Sequence, residues 1–176
     1  MSGTPSAYDL YRQAIQQFGA AIERLARAYE ADPDKRRDLL QDIHLAVWRS
    51  FEKFEMRCSL RTWIYRVAHN TGATHVYQQK RRAAERLVTL EEIEKADDGT
   101  NLQLTTEREI AMERLVNLIH QLRPIDRQLM LLYLEDLDMT SIAEIAGISP
   151  GNARVQIHRI KSILVRRFQG GLSRDK

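Results

Sequence analysis

Four residues near the C-terminus, Gly147-Ile148-Ser149-Pro150, constrain this chain more than any other stretch. Glycine ends a helix cheaply because it accepts a left-handed backbone, and serine followed by proline opens one. Closing one helix and opening another within four residues predicts two helices joined at a tight turn. Asp138 is placed to cap the first, whose apolar residues are Ile142, Ile145 and Ala146. The second carries Ala153, Ile157, Ile160 and Leu164 at helical spacing, which predicts an inner stripe. Arg154, Val155, His158 and Arg159 then fall on the flank and outer side, with Lys161 and Arg166 beyond. A helix with one apolar face and a basic outer face fits the major groove of B-DNA. Arg154 and Arg159 have the reach to pair with guanine edges, and Lys161, Arg166 and Arg167 suit phosphates. A short basic helix closing a bundle would share this pattern, so the motif alone leaves both readings open.

The rest of the chain also reads as helix, with no alternating β-branched runs and no internal repeat. Helical segments are expected over Tyr8 to Tyr29, Lys35 to Phe54 and Ser59 to Arg86, the last with Ser59 as its N-cap. The second has Leu40, Ile43, Val47, Phe51 and Phe54 as its buried stripe, and the third Leu60, Trp63, Ile64, Val67 and Thr71. Periodicity fades between Leu87 and Thr106 and returns at Glu107, with Pro124 in the first turn of a further helix. The expected fold class is all-α: a helical domain over residues 1–86, a linker over 87–106, and a helix-turn-helix domain over 107–176.

A net charge of +3 conceals two acid-free basic stretches, Arg57 to Arg82 and Ile145 to Arg174, separated by the acidic "LEEIEKADDG". Two cationic surfaces with an acidic connector point to a polyanion held at two places. The first stretch places Arg61, Tyr65, Arg66, His69, Asn70 and Tyr77 opposite the expected core of its helix. Cations interleaved with rings and an amide suit single-stranded or distorted DNA, where bases stack on rings and a flipped base meets an amide. On the preceding helix, Leu45 and Trp48 lie outside the apolar stripe among Asp38, Gln41, Asp42, Arg49 and Glu52. They form either a protein-docking patch or a face covered by the first helix.

Catalytic and cofactor chemistry finds little support. There is no paired-carboxylate metal spacing, no phosphate-binding glycine loop, and no Cys–His nucleophile setting. His44, His69, His75, His120 and His158 do not pair at ligand spacing. Cys58 is the sole cysteine, so no internal disulfide or cysteine metal cluster is available. The expectation is a cytoplasmic, non-enzymatic protein without cofactor, metal, membrane span or secretory signal.

The stretch "RDLLQDIHLAVWRSFEKFEMRCSLRTWIYRVAHNTGATHVYQQKRR" resembles conserved region 2 of bacterial sigma factors. The stretch "LIHQLRPIDRQLMLLYLEDLDMTSIAEIAGISPGNARVQIHRIKSIL" resembles region 4. With only a short linker between them, the pair resembles the compact extracytoplasmic-function (ECF) group. The resemblance implies core RNA polymerase and promoter DNA as partners and, for many members, an anti-sigma factor. It implies that Asp38, Gln41, Asp42, Leu45 and Trp48 dock on polymerase, and that Asn70, with Trp63, Tyr65, Arg66 and His69, engages the −10 element. It implies that Arg154, Val155, His158 and Arg159 face the −35 element, with Lys161 beside them. Val155 stands where a small hydroxyl residue is common in the family and His158 where an aromatic is common, which leaves the preferred −35 sequence open. The alternative is a helix-turn-helix regulator acting without sigma activity.

Overall fold

The computed structural model describes residues 6–83 and 107–172, and all regular structure among them is helical. The linker expected over residues 87–106 lies outside the described residues.

Local chemistry fixes where each helix starts. α1 (Ala7–Tyr29) opens with a reciprocal capping box: Ser6 Oγ accepts from the Asp9 amide at 3.1 Å, and the Asp9 carboxylate accepts from the Ser6 amide at 3.2 Å. α2 (Pro33–Ser50) starts with proline in its first turn, and the Asp32 carboxylate accepts from the amides of Asp34 and Lys35. α2 ends at Ser50, and a 3₁₀ turn over Phe51–Lys53 follows. α3 (Leu60–Ala83) is capped as its sequence predicts, with Ser59 Oγ accepting from the Thr62 amide at 3.0 Å. These three helices close around Leu25, Leu39, Ile43, Val47, Ile64 and Ala68.

Two details of the sequence reading change. Leu39 rather than Leu40 leads the α2 stripe, with Leu40 half-buried at its margin. α3 is buried on two sides. Leu60, Trp63, Ile64 and Val67 pack on the first core as expected, but Tyr65 and His69, expected on the opposite polar face, are buried as well. Tyr65 is covered by helices about 70 residues further along, which local periodicity in α3 has no means of registering, and His69 lies against Tyr65 and Tyr29 of α1.

Those helices are α4 (Glu107–Gln121), α5 (Pro124–Leu134), α6 (Met139–Ala146) and α7 (Pro150–Leu172). Their core is Leu118, Leu122, Leu129, Leu132, Ile142, Ile145, Ile157, Ile160 and Ile163. α5 and α6 both end in a left-handed residue followed by an amide that reaches back five positions. Asp136 has φ 56 and Leu137 N bonds Leu132 O at 3.2 Å; Gly147 has φ 70 and Ile148 N bonds Ala143 O at 3.1 Å. The second of these ends makes the helix-turn-helix corner.

Candidate nucleic-acid interface

The corner between α6 and α7 is built by side chains that terminate backbone groups. Asp138 accepts from the Thr140 and Ser141 amides at 2.9 and 3.0 Å, and Ser149 Oγ accepts from the Asn152 amide at 3.3 Å. A Cβ added at Gly147 would meet nothing within 4 Å, so glycine is present there for its backbone conformation rather than for space. Ala153, Ile157, Ile160 and Leu164 are all buried, which fixes the rotation of α7 about its axis. Arg154, Val155, His158 and Arg159 are consequently turned to solvent, and Val155 is 68% exposed. Lys161 is exposed too, but its ammonium is 2.7 Å from the Tyr133 hydroxyl and 4.5 Å above that ring, so α5 aims it.

On α3 the residues singled out by sequence occupy different environments. Asn70 is exposed, and Trp63 is half-buried with its indole N–H donating to Ser50 Oγ at 2.8 Å. Tyr65 is 4% exposed; its hydroxyl donates to the Glu135 carboxylate at 3.2 Å, and burial pushes its pKa up to about 12. Arg66 donates to the Glu144 backbone oxygen at 2.9 Å. His69 is 1% exposed, with Nδ1 3.0 Å from the Tyr29 hydroxyl, Nε2 without a partner, and its ring stacked on Tyr65. Burial holds His69 neutral by lowering its pKa to about 3.

α2 presents a separate surface. Asp38, Gln41, Asp42, Leu45 and Trp48 fall at helical spacing and are all exposed. Leu45 and Trp48 remain 42% and 46% accessible, so α1 does not cover them. Two large apolar side chains rimmed by carboxylates and an amide match the anatomy of a protein-docking patch.

Sequence reasoning missed the groups that join the two halves. Glu135 binds Arg24 through two oxygens at 2.6 and 2.7 Å and accepts from Arg61 through its backbone at 2.7 Å. Arg127 is 2% exposed and donates to the backbone oxygens of Tyr29, His120 and Leu122, while its guanidinium lies over the Tyr29 ring at 5.3 Å. Burial lowers its pKa to about 10. No short-range signal marks a pairing across 111 residues, although a run of acids closing α5 against the dipole of that helix was visible. Among the described residues, no group of three or more His, Cys, Asp or Glu side chains is placed to hold a metal ion, and no helix is long and apolar enough to cross a membrane.

Comparison with known proteins agrees with this geometry. The Sigma-70 region 2 family matches residues 14–82, and the Sigma-70 region 4 family matches residues 112–164. The chain is 32% identical over 139 residues to an ECF RNA polymerase sigma-E factor of Haemophilus influenzae, covering 75% of this chain and 74% of that protein. It is 24% identical to an RNA polymerase sigma-H factor of Pseudomonas aeruginosa over 95% of this chain and 89% of that one. Among solved structures, the sigma factor RpoE in complex with the anti-sigma factor NepR from Bartonella quintana shares the fold, with TM-score 0.65 and 16% identity over 91% of this chain and 96% of that one. CnrH in complex with the cytosolic domain of CnrY does so with TM-score 0.54 and 18% identity, over 94% and 89%. Two matched regions in this order, with a relative 32% identical over three quarters of both chains, establish that the protein belongs to the ECF sigma factors and is an alternative sigma factor of transcription initiation.

Proposed function

We propose that this sigma factor divides promoter recognition between its halves, residues 1–86 and 107–176, joined by a linker over 87–106. Arg154, Val155, His158 and Arg159 on α7 read the −35 element in the major groove, and Lys161 holds the adjacent backbone. On α3, Asn70 engages an extruded −10 base. Trp63, Tyr65 and Arg66 form the surrounding platform, and His69 supports Tyr65 from beneath. Asp38, Gln41, Asp42, Leu45 and Trp48 on α2 dock on core RNA polymerase. The protein supplies no catalytic group of its own; polymerase performs the chemistry, in the cytoplasm where promoter DNA lies. An anti-sigma factor is a natural partner, in keeping with the complexes in which RpoE and CnrH were solved.

The observation that carries this reading is the orientation of α7: a buried Ala153–Ile157–Ile160–Leu164 stripe forces all four groove-facing candidates into solvent. Run-off transcription with purified core polymerase tests it. Initiation at discrete start sites that depends on this chain is the expected result. Tight promoter binding without polymerase, together with no stimulation of initiation, would replace the proposal with a helix-turn-helix regulator.

A further inference from the structure

Tyr133, in the last turn of α5, meets the middle of α7. Its half-buried ring packs on the core of the second half, and its hydroxyl meets Lys161 at an exposed edge. Lys161 Nζ lies 2.7 Å from that hydroxyl and 4.5 Å from the ring centroid. An ammonium only donates, so the tyrosine oxygen accepts and its own proton is left over. Among the described residues, no hydrogen bond uses that proton or the two remaining N–H groups of Lys161, and no carboxylate pairs with the lysine. The pair is therefore a cluster of unused donors carrying one positive charge.

An exposed lysine does not ordinarily hold one position. Its long stem has among the largest rotamer entropies of any side chain, and its ammonium is strongly hydrated. The Tyr133 ring is fixed by the packing around it, so Lys161 is ordered on folding rather than on binding. That is the condition for preorganised recognition. The holder is a neutral oxygen and a π face, and α7 carries no acid along its length, so the charge keeps no counter-ion and is presented to an outside anion.

Placement along α7 says which anion. Arg154, His158 and Lys161 follow one another along one flank at helical spacing. At about 1.5 Å per residue, Lys161 stands about 10 Å beyond Arg154 along the axis, against a major groove ~12 Å wide. With the N-terminal part of α7 at base edges, that distance brings Lys161 to the groove wall, where the phosphates lie. We propose that Tyr133 and Lys161 form one composite site for a single backbone phosphate at the edge of the −35 element. Tyr133 is the positioning residue: it holds the lysine in place and adds its own hydroxyl proton. The proposal rests on the assignment of α7 to the −35 element made above, and it brings a residue from outside the helix-turn-helix into that interface. A phosphate contact fixes register without reading sequence, so both side chains should matter equally on cognate and scrambled −35 elements.

The test uses holoenzyme assembled from core polymerase and the full chain, binding a duplex promoter fragment over a range of potassium chloride concentrations. Lys161→Ala should weaken binding about tenfold and reduce the slope of log K against log salt by about 0.9, the share of one phosphate. Tyr133→Phe keeps the packed ring and loses only the hydroxyl. It should weaken binding about fivefold, by the same factor on a scrambled −35 element. In the Lys161→Ala background the same substitution should cost less than about twofold, because both groups act on one phosphate. Duplexes with a neutral methylphosphonate at single positions around −35 give a readout that a merely structural tyrosine would not move. One position should weaken wild type about tenfold, weaken Tyr133→Phe less, and leave Lys161→Ala nearly unaffected. Full-strength binding by Tyr133→Phe, additive effects of the two substitutions, weakening confined to the cognate element, or no phosphate that distinguishes Lys161→Ala from wild type overturns the proposal. Arg159→Ala separates the two levels. If it leaves −35 discrimination intact, the assignment of α7 falls and this site with it; lost discrimination there, beside an inert Tyr133→Phe, removes the site alone.

Discussion

His69 offers a measurement in which burial alone sets the outcome. Its ring is 1% exposed between Tyr29 and Tyr65, with Arg127 over the Tyr29 ring, and its pKa is lowered by burial from 6.5 to about 3. The unfolded chain takes up a proton near pH 6.5, while the folded chain resists doing so until about pH 3. Stability from the neutral ring is therefore complete above pH 6.5 and is lost as pH falls from there toward 3. Between about pH 7.5 and pH 5 the loss is about 2 kcal/mol. With a urea slope of roughly 2 kcal/mol per molar, that moves the unfolding midpoint by about 1 M. Burial also lowers His44 and His120, so the wild type should lose more than this in total. His69→Gln isolates the single residue, because glutamine keeps a polar partner for the Tyr29 hydroxyl and does not titrate. Urea midpoints of both proteins at the two pH values should show the wild type falling by about 2 kcal/mol more than the variant. An equal fall in both would mean that the ring is hydrated and already protonates in the native state, and the picture of α3 as a helix buried on two sides would go with it.

Arg159→Ala should lose about 1–3 kcal/mol of discrimination between a cognate and a scrambled −35 element, measured with holoenzyme, while leaving thermal stability unchanged. Trp48→Ala removes a half-exposed ring, so it should weaken core polymerase binding in a titration at least about tenfold with little change in Tm. Gly72→Ala should lower Tm despite better helix propensity. The new Cβ would lie 2.8 Å from Cγ of Tyr29, whose ring is fixed by His69 and Arg127, and overpacking costs about 1–3 kcal/mol against roughly 1 kcal/mol gained. Calorimetry at a pH above 7 checks it.

What the sequence revealed divides by range of interaction. Caps at Ser59, Asp138 and Ser149, the glycine corner at Gly147 and the α7 stripe follow from residues within one or two turns of one another, and each is present in the fold. The α2 stripe was misplaced by one residue, at Leu39 against Leu40, because adjacent leucines both satisfy a helical period. Tyr65 and His69 were misjudged for another reason. A tyrosine, a histidine and flanking arginines read as a solvated polar face, and so they would be if α3 had one neighbour. The second neighbour brings the Glu135 carboxylate to Tyr65 and the Glu144 backbone to Arg66, pairings 70 and 78 residues apart in sequence.

That failure bears on how the molecule works. A helix face that carries cations, rings and amides is expensive to bury against hydrocarbon but easy to satisfy with carboxylates and backbone oxygens. The second half supplies both where α5 and α6 end. The polar character that makes this face of α3 read as solvated is the same character that allows the other half of the chain to cover it. Part of the seam is ionic: the Arg24 side chain is 60% exposed and Glu135 19%, so added salt reaches the pair. The apolar remainder, Leu131 of α5 packed on the first core, does not weaken with screening.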